Sequence, residues 1–137
     1  MKKVFIDTNI MMDFLLEREP WVYQTASLLS KSQRQEITVY CCSLSFSTAI
    51  YMMHKYKYSR EEIIAKLKGI RQFLNIVNVG TEIIDNMLNS KFKDLEDSIQ
   101  YYSAVTCSAD VIVTRNIKDF VLSDIPTMTT EEFLQQY

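Results

Sequence analysis

Short apolar, β-rich runs alternate with helical patterns along the whole chain, and that alternation restricts the fold more than any other feature. Val4-Phe5-Ile6, Ile37-Thr38-Val39-Tyr40-Cys41, Ile76-Val77-Asn78-Val79 and Val111-Ile112-Val113 read as strands, with Pro126 to Thr129 as a short fifth. Helical spacing separates them: Ile10, Met11, Phe14 and Leu15; then Trp21 to Leu29, opened by Pro20; then Phe46, Ile50 and Met53 after Ser43. Ser59 with Glu62 and Thr129 with Glu132 are capping boxes that start two further helices. Another helix is expected from Thr81 to about Asn89, and Asp94 can cap the one running through Ile99, Tyr102, Ala104 and Val105. The pattern predicts an α/β fold over residues 1–137 as a single domain: three layers, α/β/α, around a central parallel sheet of four to five strands. Right-handed crossovers then bring every strand's C-terminal end to one edge, where ligands bind.

Glycine and proline occur twice each, against average usage of roughly 7% and 5%, which favours long helices and short loops. Gly69 and Gly80 alone cannot spell a phosphate-cradling loop, so P-loop and dinucleotide-fingerprint chemistry is excluded. A net charge of −2 argues against a protein that coats duplex nucleic acid non-specifically. Cys41, Cys42 and Cys107 form no C-x-x-C, and His54 is the lone imidazole, so neither a zinc cage nor a disulfide framework is expected. Lys2-Lys3 runs into Asp7 before any apolar signal core, and the uncharged run Ile37 to Met53 is broken by Ser43, Ser45, Ser47 and Thr48. A cytoplasmic protein with no membrane role is expected.

In the expected architecture, three acidic segments distant in sequence meet on one edge. Asp7 ends the first strand, Asp94 and Asp97 open a helix, and Asn116 and Asp119 follow the fourth strand. Asp94 and Asp97, three residues apart, share a face of that helix's first turn. Crowded carboxylates repel each other unless a cation sits among them. Oxygen donors without thiolate or imidazole suit Mg²⁺ or Mn²⁺, which can polarise a phosphoryl oxygen and activate a water.

These residues, taken in order, resemble the PIN-domain ribonucleases, which include the VapC-type toxins of bacterial toxin–antitoxin pairs. The resemblance is carried by Val4-Phe5-Ile6-Asp7-Thr8-Asn9, by Asp94-Leu95-Glu96-Asp97 with Gln100-Tyr101, by Ala109-Asp110, and by Thr114-Arg115-Asn116 with Asp119-Phe120. It spans nearly the whole chain. It implies a PIN-like fold and a Mg²⁺- or Mn²⁺-dependent endonuclease that cuts RNA to leave a 5′-phosphate. It also implies a homodimer and a small antitoxin protein as partner. Carried over, Asp7 is the central metal ligand, Asn9 supports its loop, and Asp97 is the next acid. The family's last acid directly follows the T-R pair in many members, where this chain has Asn116, and precedes the phenylalanine in others, as Asp119 does. The family's glutamate after strand two falls near Thr48. The metal ligands that remain are Asp7, Asp97, Asp119 and, where it is not spent wholly as a helix cap, Asp94.

Thr8 and Thr114 are expected to support the carboxylates, as Ser43 could, and Arg115, Lys118, Lys91 and Lys93 to contact RNA phosphates. Plainer roles compete. Asp7 and Asp94 are natural helix caps, and exposed lysines are often only solvated. Asp13 is expected on an exposed helix face and Asp110 to orient the loop before its strand. His54 reads as an ordinary surface or half-buried histidine, the methionines and Tyr101-Tyr102 as core or subunit interface, and the cysteines as small buried hydrophobes. Thr48 and Asn116 keep open an alternative, a catalytically weakened PIN-like module that binds RNA or protein. A phosphoryl-transfer domain fits less well, since a D-x-D would be needed where Asp7-Thr8-Asn9 stands.

Overall fold

A computed structural model describes residues 1–137. Five strands, β1 (Lys2–Ile6), β2 (Ile37–Cys42), β3 (Asn75–Val77), β4 (Val111–Val113) and β5 (Thr127–Met128), pair in the order β3-β2-β1-β4-β5. Every pairing is parallel, as the alternation predicted. The helices are α1 (Thr8–Leu15), α2 (Trp21–Gln33), α3 (Leu44–Lys55), α4 (Arg60–Arg71), α5 (Thr81–Leu88), α6 (Leu95–Thr106) and α7 (Thr130–Gln136), with a 3₁₀ turn over Ile117–Phe120.

The pleat of each central strand feeds two cores. Val4, Ile6, Val111 and Val113 face a large cluster with Ile10, Leu15, Leu28, Met53, Ile70 and Phe133. Phe5 and Ile112, on the opposite face, pack with Ile83, Phe92, Tyr101, Ala104 and Phe120. Helices therefore cover both faces, and the near-continuous apolar character of β1 and β4 follows from burial on both sides. Cys41 and Cys42 are fully buried and Cys107 is partly buried; all three are free thiols.

Both capping boxes form. Ser59 Oγ accepts from Glu62 N at 3.1 Å while Glu62 Oε1 accepts from Ser59 N at 2.8 Å. Thr129 and Glu132 repeat the arrangement at α7. Pro20 precedes the first turn of α2 as its N-cap instead of opening it from within. Strand β3 ends at Val77, earlier than its composition suggested, because Val79 N turns away to donate to Ser43 Oγ at 3.1 Å.

Glycine scarcity leaves a mark at the helix ends. Glu17, Gln35, Lys57 and Ser108, with φ of 52°, 60°, 65° and 56°, each stand one residue beyond the cap of α1, α2, α3 and α6. At α3 the Lys57 N–H donates to His54 O at 2.9 Å and Tyr58 N–H to Met53 O at 3.0 Å, the doubled closure usually built on glycine. A side chain there costs about 1 kcal/mol of backbone strain, against a smaller unfolded-state entropy loss for glycine. Lys57→Gly is therefore expected to stabilise the protein by about 0.5 kcal/mol, seen as a higher urea midpoint; a lower midpoint contradicts the assignment of strain.

Candidate active site

The order β3-β2-β1-β4-β5 reverses direction at β1, so the crevice between the C-terminal ends of β1 and β4 is the natural binding position. Asp7 stands there. Its N–H extends the ladder to Val113 O at 3.0 Å, and its carboxylate caps α1 by accepting from Thr8 N at 2.7 Å. The other carboxylate oxygen accepts from Thr114 Oγ1 at 2.8 Å, and that hydroxyl accepts from Asn116 N at 3.0 Å. One acid thus ties together the ends of the two central strands. Asp7 is 4% exposed.

A cavity of about 440 Å³ opens above it. Asp7, Asp94, Asp97 and Asp119 all line it, together with Asn9, Asn116 and Thr48. Glu96 adds a fifth carboxylate, and no lysine or arginine is among the lining residues. Asp94 serves two purposes at once: its Oδ1 accepts from Glu96 N at 2.9 Å and Asp97 N at 3.1 Å, capping α6, while it borders the cavity. Asp119 is brought in by the 3₁₀ turn, whose Phe120 is buried against Phe92 with ring centroids 6.4 Å apart. Thr48 on α3 faces the same cavity, so the position matched to the family's glutamate offers a hydroxyl.

Thr8 was expected to support the carboxylates, which its N–H does, whereas Ser45 and Gln100, which bond its hydroxyl, were given no role. Thr8 Oγ1 shares a hydrogen bond with Ser45 Oγ at 2.7 Å and accepts from Gln100 Nε2 at 3.1 Å, linking α1, α3 and α6 beneath the acids. Gln100 follows Asp97 by three residues and Glu96 by four, a helical spacing that places it on their face. Ser43 serves the backbone at Val79 and makes no contact with the carboxylates.

Two expectations need correction. Asp13 has no exposed surface at all. Its carboxylate accepts both Arg115 Nε and Nη2 at 3.0 Å, and Arg18 Nε lies 3.1 Å away at an angle too poor for a hydrogen bond. Arg115 also stacks on Trp21, its guanidinium carbon 4.0 Å from the ring centroid, so its fork is committed to α1 and α2 and does not turn to the cavity. The physical reason is geometric: a planar fork matches a carboxylate better than any solvated partner. Asp110 behaves as expected, accepting from Lys3 N at 2.8 Å.

Electrostatics mark the cavity as a place that wants a cation. Burial pushes the Asp97 carboxyl up to about 7, and neighbouring Asp7, Asp94, Asp119 and Glu96 push the same way. Burial also raises Asp7, opposed by its bonds from Thr114 and Thr8 and reinforced by Asp119 and Asp94. The carboxylates line the cavity, but no three of them lie close enough together in this structure to hold an ion between them, so the side chains would have to draw in around a cation. Hard oxygens alone, with no thiolate or imidazole, form a donor set that fits Mg²⁺ or Mn²⁺.

A raised folded-state pKa has a definite consequence for stability. Between about pH 4 and pH 7 the unfolded chain has lost the Asp97 proton and the folded one retains it, so stability falls as pH rises through that window. Asp97→Asn removes the effect. In chelator, the variant is expected to match the parent near pH 4 and to exceed it by about 1–2 kcal/mol at pH 8. That figure is well below the ~4 kcal/mol of the full shift, because solvent screens a partly exposed group. Urea melts across pH test this, and a variant less stable at pH 8 contradicts it.

Fold and site together define a class: a parallel α/β domain with an acid-lined crevice at its topological switch point. The family profile described as PIN domain matches residues 3–118. The chain belongs to the PIN domain family. It is 27% identical over 144 residues to Ribonuclease VapC1 of Aquifex aeolicus (strain VF5), covering 99% of this chain and 96% of that protein. Among solved structures it resembles a chain of VapBC2 from Rickettsia felis bound to a DNA fragment from their promoter. The TM-score is 0.70 at 19% identity, covering 93% of this chain and 98% of that one. A toxin–antitoxin complex from Klebsiella pneumoniae gives 0.68 at 21% identity, covering 93% and 97%. These structural likenesses bear on the fold.

Proposed function

We propose that the protein is an endoribonuclease dependent on Mg²⁺ or Mn²⁺, hydrolysing RNA phosphodiesters as the toxin of a toxin–antitoxin pair. The observation that carries this reading is the ring of five carboxylates, without a counter-charge, around the end of β1. The likeness to Ribonuclease VapC1 supports RNA as the substrate, and the likeness to toxin–antitoxin structures supports an antitoxin as partner.

Asp7, Asp97 and Asp119, with Asp94, would hold the ion. A bound divalent ion supplies polarisation of a phosphoryl oxygen and a water made nucleophilic near neutral pH. The chain's own residues do the rest. Thr8 N and Thr114 Oγ1 fix the Asp7 carboxylate from two sides, so its orientation is set before substrate arrives. Asn116 and Asn9 offer neutral donors and acceptors at the cavity wall, and Thr48 leaves one wall uncharged. Fewer anionic ligands than the family pattern favour one ion over two, with catalysis correspondingly modest. Lys91, Lys93 and Lys118 stand outside the acidic cavity as exposed cations for the RNA backbone. Arg115, committed to Asp13, is a brace for the 114–119 loop ahead of any contact with RNA.

The protein acts as a homodimer in the cytoplasm in this reading; no helix is long and apolar enough to cross a membrane. Incubating labelled RNA with the protein and Mn²⁺, with and without chelator, tests it. Cleavage that stops with chelator and resumes on adding Mn²⁺ is expected. Intact RNA under all conditions, with binding retained, favours the non-catalytic module instead.

A further inference from the structure

A second cavity, of about 280 Å³, adjoins the acidic one and shares Asp94 and Asp119 as a common wall. Its character is opposite. Lys91, Lys93 and Lys118 line it beside Phe92, Val121 and Leu122. Lys93 and Lys118 each neighbour an aspartate in sequence, yet none of the three lysines enters any of the five ion pairs of the molecule. Their charges are free. Val121 and Leu122 are 79% and 50% exposed, an aliphatic pair on a turn that gains nothing from facing water.

We infer that this second cavity is the subsite for the nucleotide next to the cleaved linkage, in an unpaired stretch of RNA. The inference rests on the ribonuclease reading and adds to it the path of the strand. A phosphate held over the carboxylates through the cation has its neighbour one nucleotide along the chain. The shared wall of Asp94 and Asp119 sets the lysines beside the acids, on the side where that neighbouring phosphate needs cations. The face of the intervening base is apolar, and Val121 and Leu122 give it a surface that a base still paired and stacked in a duplex cannot reach. Phe92, 9% exposed and held by Tyr101 and Phe120, forms a firm floor. Carboxylates in one cavity, with ammonium groups and apolar surface in the adjoining one, match one phosphate on metal, the next on ammonium, and a base against the aliphatic pair.

Each lysine that neutralises a phosphate of a single strand contributes about 0.7 to the slope of log affinity against log salt. The experiment uses a fluorescein-labelled 12-nucleotide uridine RNA, with Ca²⁺ in place of Mg²⁺, and measures anisotropy from 0.05 to 0.3 M salt. Replacing all three lysines (K91Q, K93Q and K118Q together) is expected to lower the slope by about 2 and to weaken binding about 50-fold at 0.15 M. Mn²⁺ affinity, read by electron paramagnetic resonance, stays within twofold of the parent. Replacing the aliphatic pair (V121S with L122S) is expected to weaken binding severalfold with the salt slope unchanged. A slope unaltered by the lysine changes, in a protein that still binds and cleaves RNA, overturns the subsite and leaves this face to a protein partner. Loss of Mn²⁺ affinity in the lysine variant also overturns it. A parent protein that neither binds nor cuts RNA overturns the ribonuclease reading and this subsite together.

Discussion

Asp7→Asn is expected to lower Mn²⁺-dependent RNA cleavage by about 10²–10³-fold or more while leaving the fold intact. The two halves of that result come from different properties of one side chain. As a structural group Asp7 caps α1 and receives Thr114 Oγ1. Asparagine keeps most of this, being as good an N-cap as aspartate and nearly the same shape. As a charge, Asp7 is the most deeply buried of the carboxylates at the cavity, and its anionic form has no cationic side chain beside it. Replacing it by an amide removes the anion that anchors the ion and also relieves the repulsion felt by Asp97. The thermal midpoint is therefore expected to hold or rise as activity disappears. A variant that is inactive because it is unfolded, or folded and fully active, contradicts the role given to Asp7.

Asp13→Ala is expected to cost about 3–4 kcal/mol of stability, a large effect for a polar residue away from the cavity. Asp13 is wholly buried, and its two oxygens hold the Arg115 fork with Arg18 alongside. Alanine leaves both guanidiniums partly buried with no anion between them, the configuration in which breaking an ion pair is costly. For a domain with 5–15 kcal/mol in total, that is a substantial fraction. The loss also reaches the cavity. Arg115 lies between Thr114, which bonds Asp7, and Asn116, which lines the cavity, so releasing it loosens the segment that carries Asp119. Chemical denaturation with urea measures the effect. A cost below 1 kcal/mol would show that the pair behaves like a surface salt bridge.

The parts of this molecule that could be read from its residues are those set by local rules. Val4-Phe5-Ile6 and Val111-Ile112-Val113 are too short and too apolar for anything but central strands of a covered sheet, and the structure places them side by side. Ser59 and Thr129 announce their helices through residues only three positions away. Asp7, Asp94, Asp97 and Asp119 could be gathered because a parallel sheet fixes which edge each strand end reaches. The bonds that tie Thr8 to Ser45 and Gln100 in the polar floor were hidden for the converse reason. Serine, threonine and glutamine occur on many surfaces, and only the crossing of α1, α3 and α6 makes these three partners. Asp13 was misplaced for a related cause. Six residues beyond Asp7, a lone acid in the helix reads as solvent-facing, and its partner Arg115 lies 102 positions away with no local sign of the pairing. Arg115 was accordingly read as an RNA contact, when its fork is spent on holding the loop in place.

The central claim is that Asp7 and Asp97 share a divalent cation at the end of β1, and anomalous diffraction from crystals soaked in Mn²⁺ tests it most directly. A strong peak within coordination distance of both carboxylates, abolished in Asp7→Asn crystals, is the predicted result. Crystals of the parent protein saturated with Mn²⁺ that show no peak between those two side chains would contradict it.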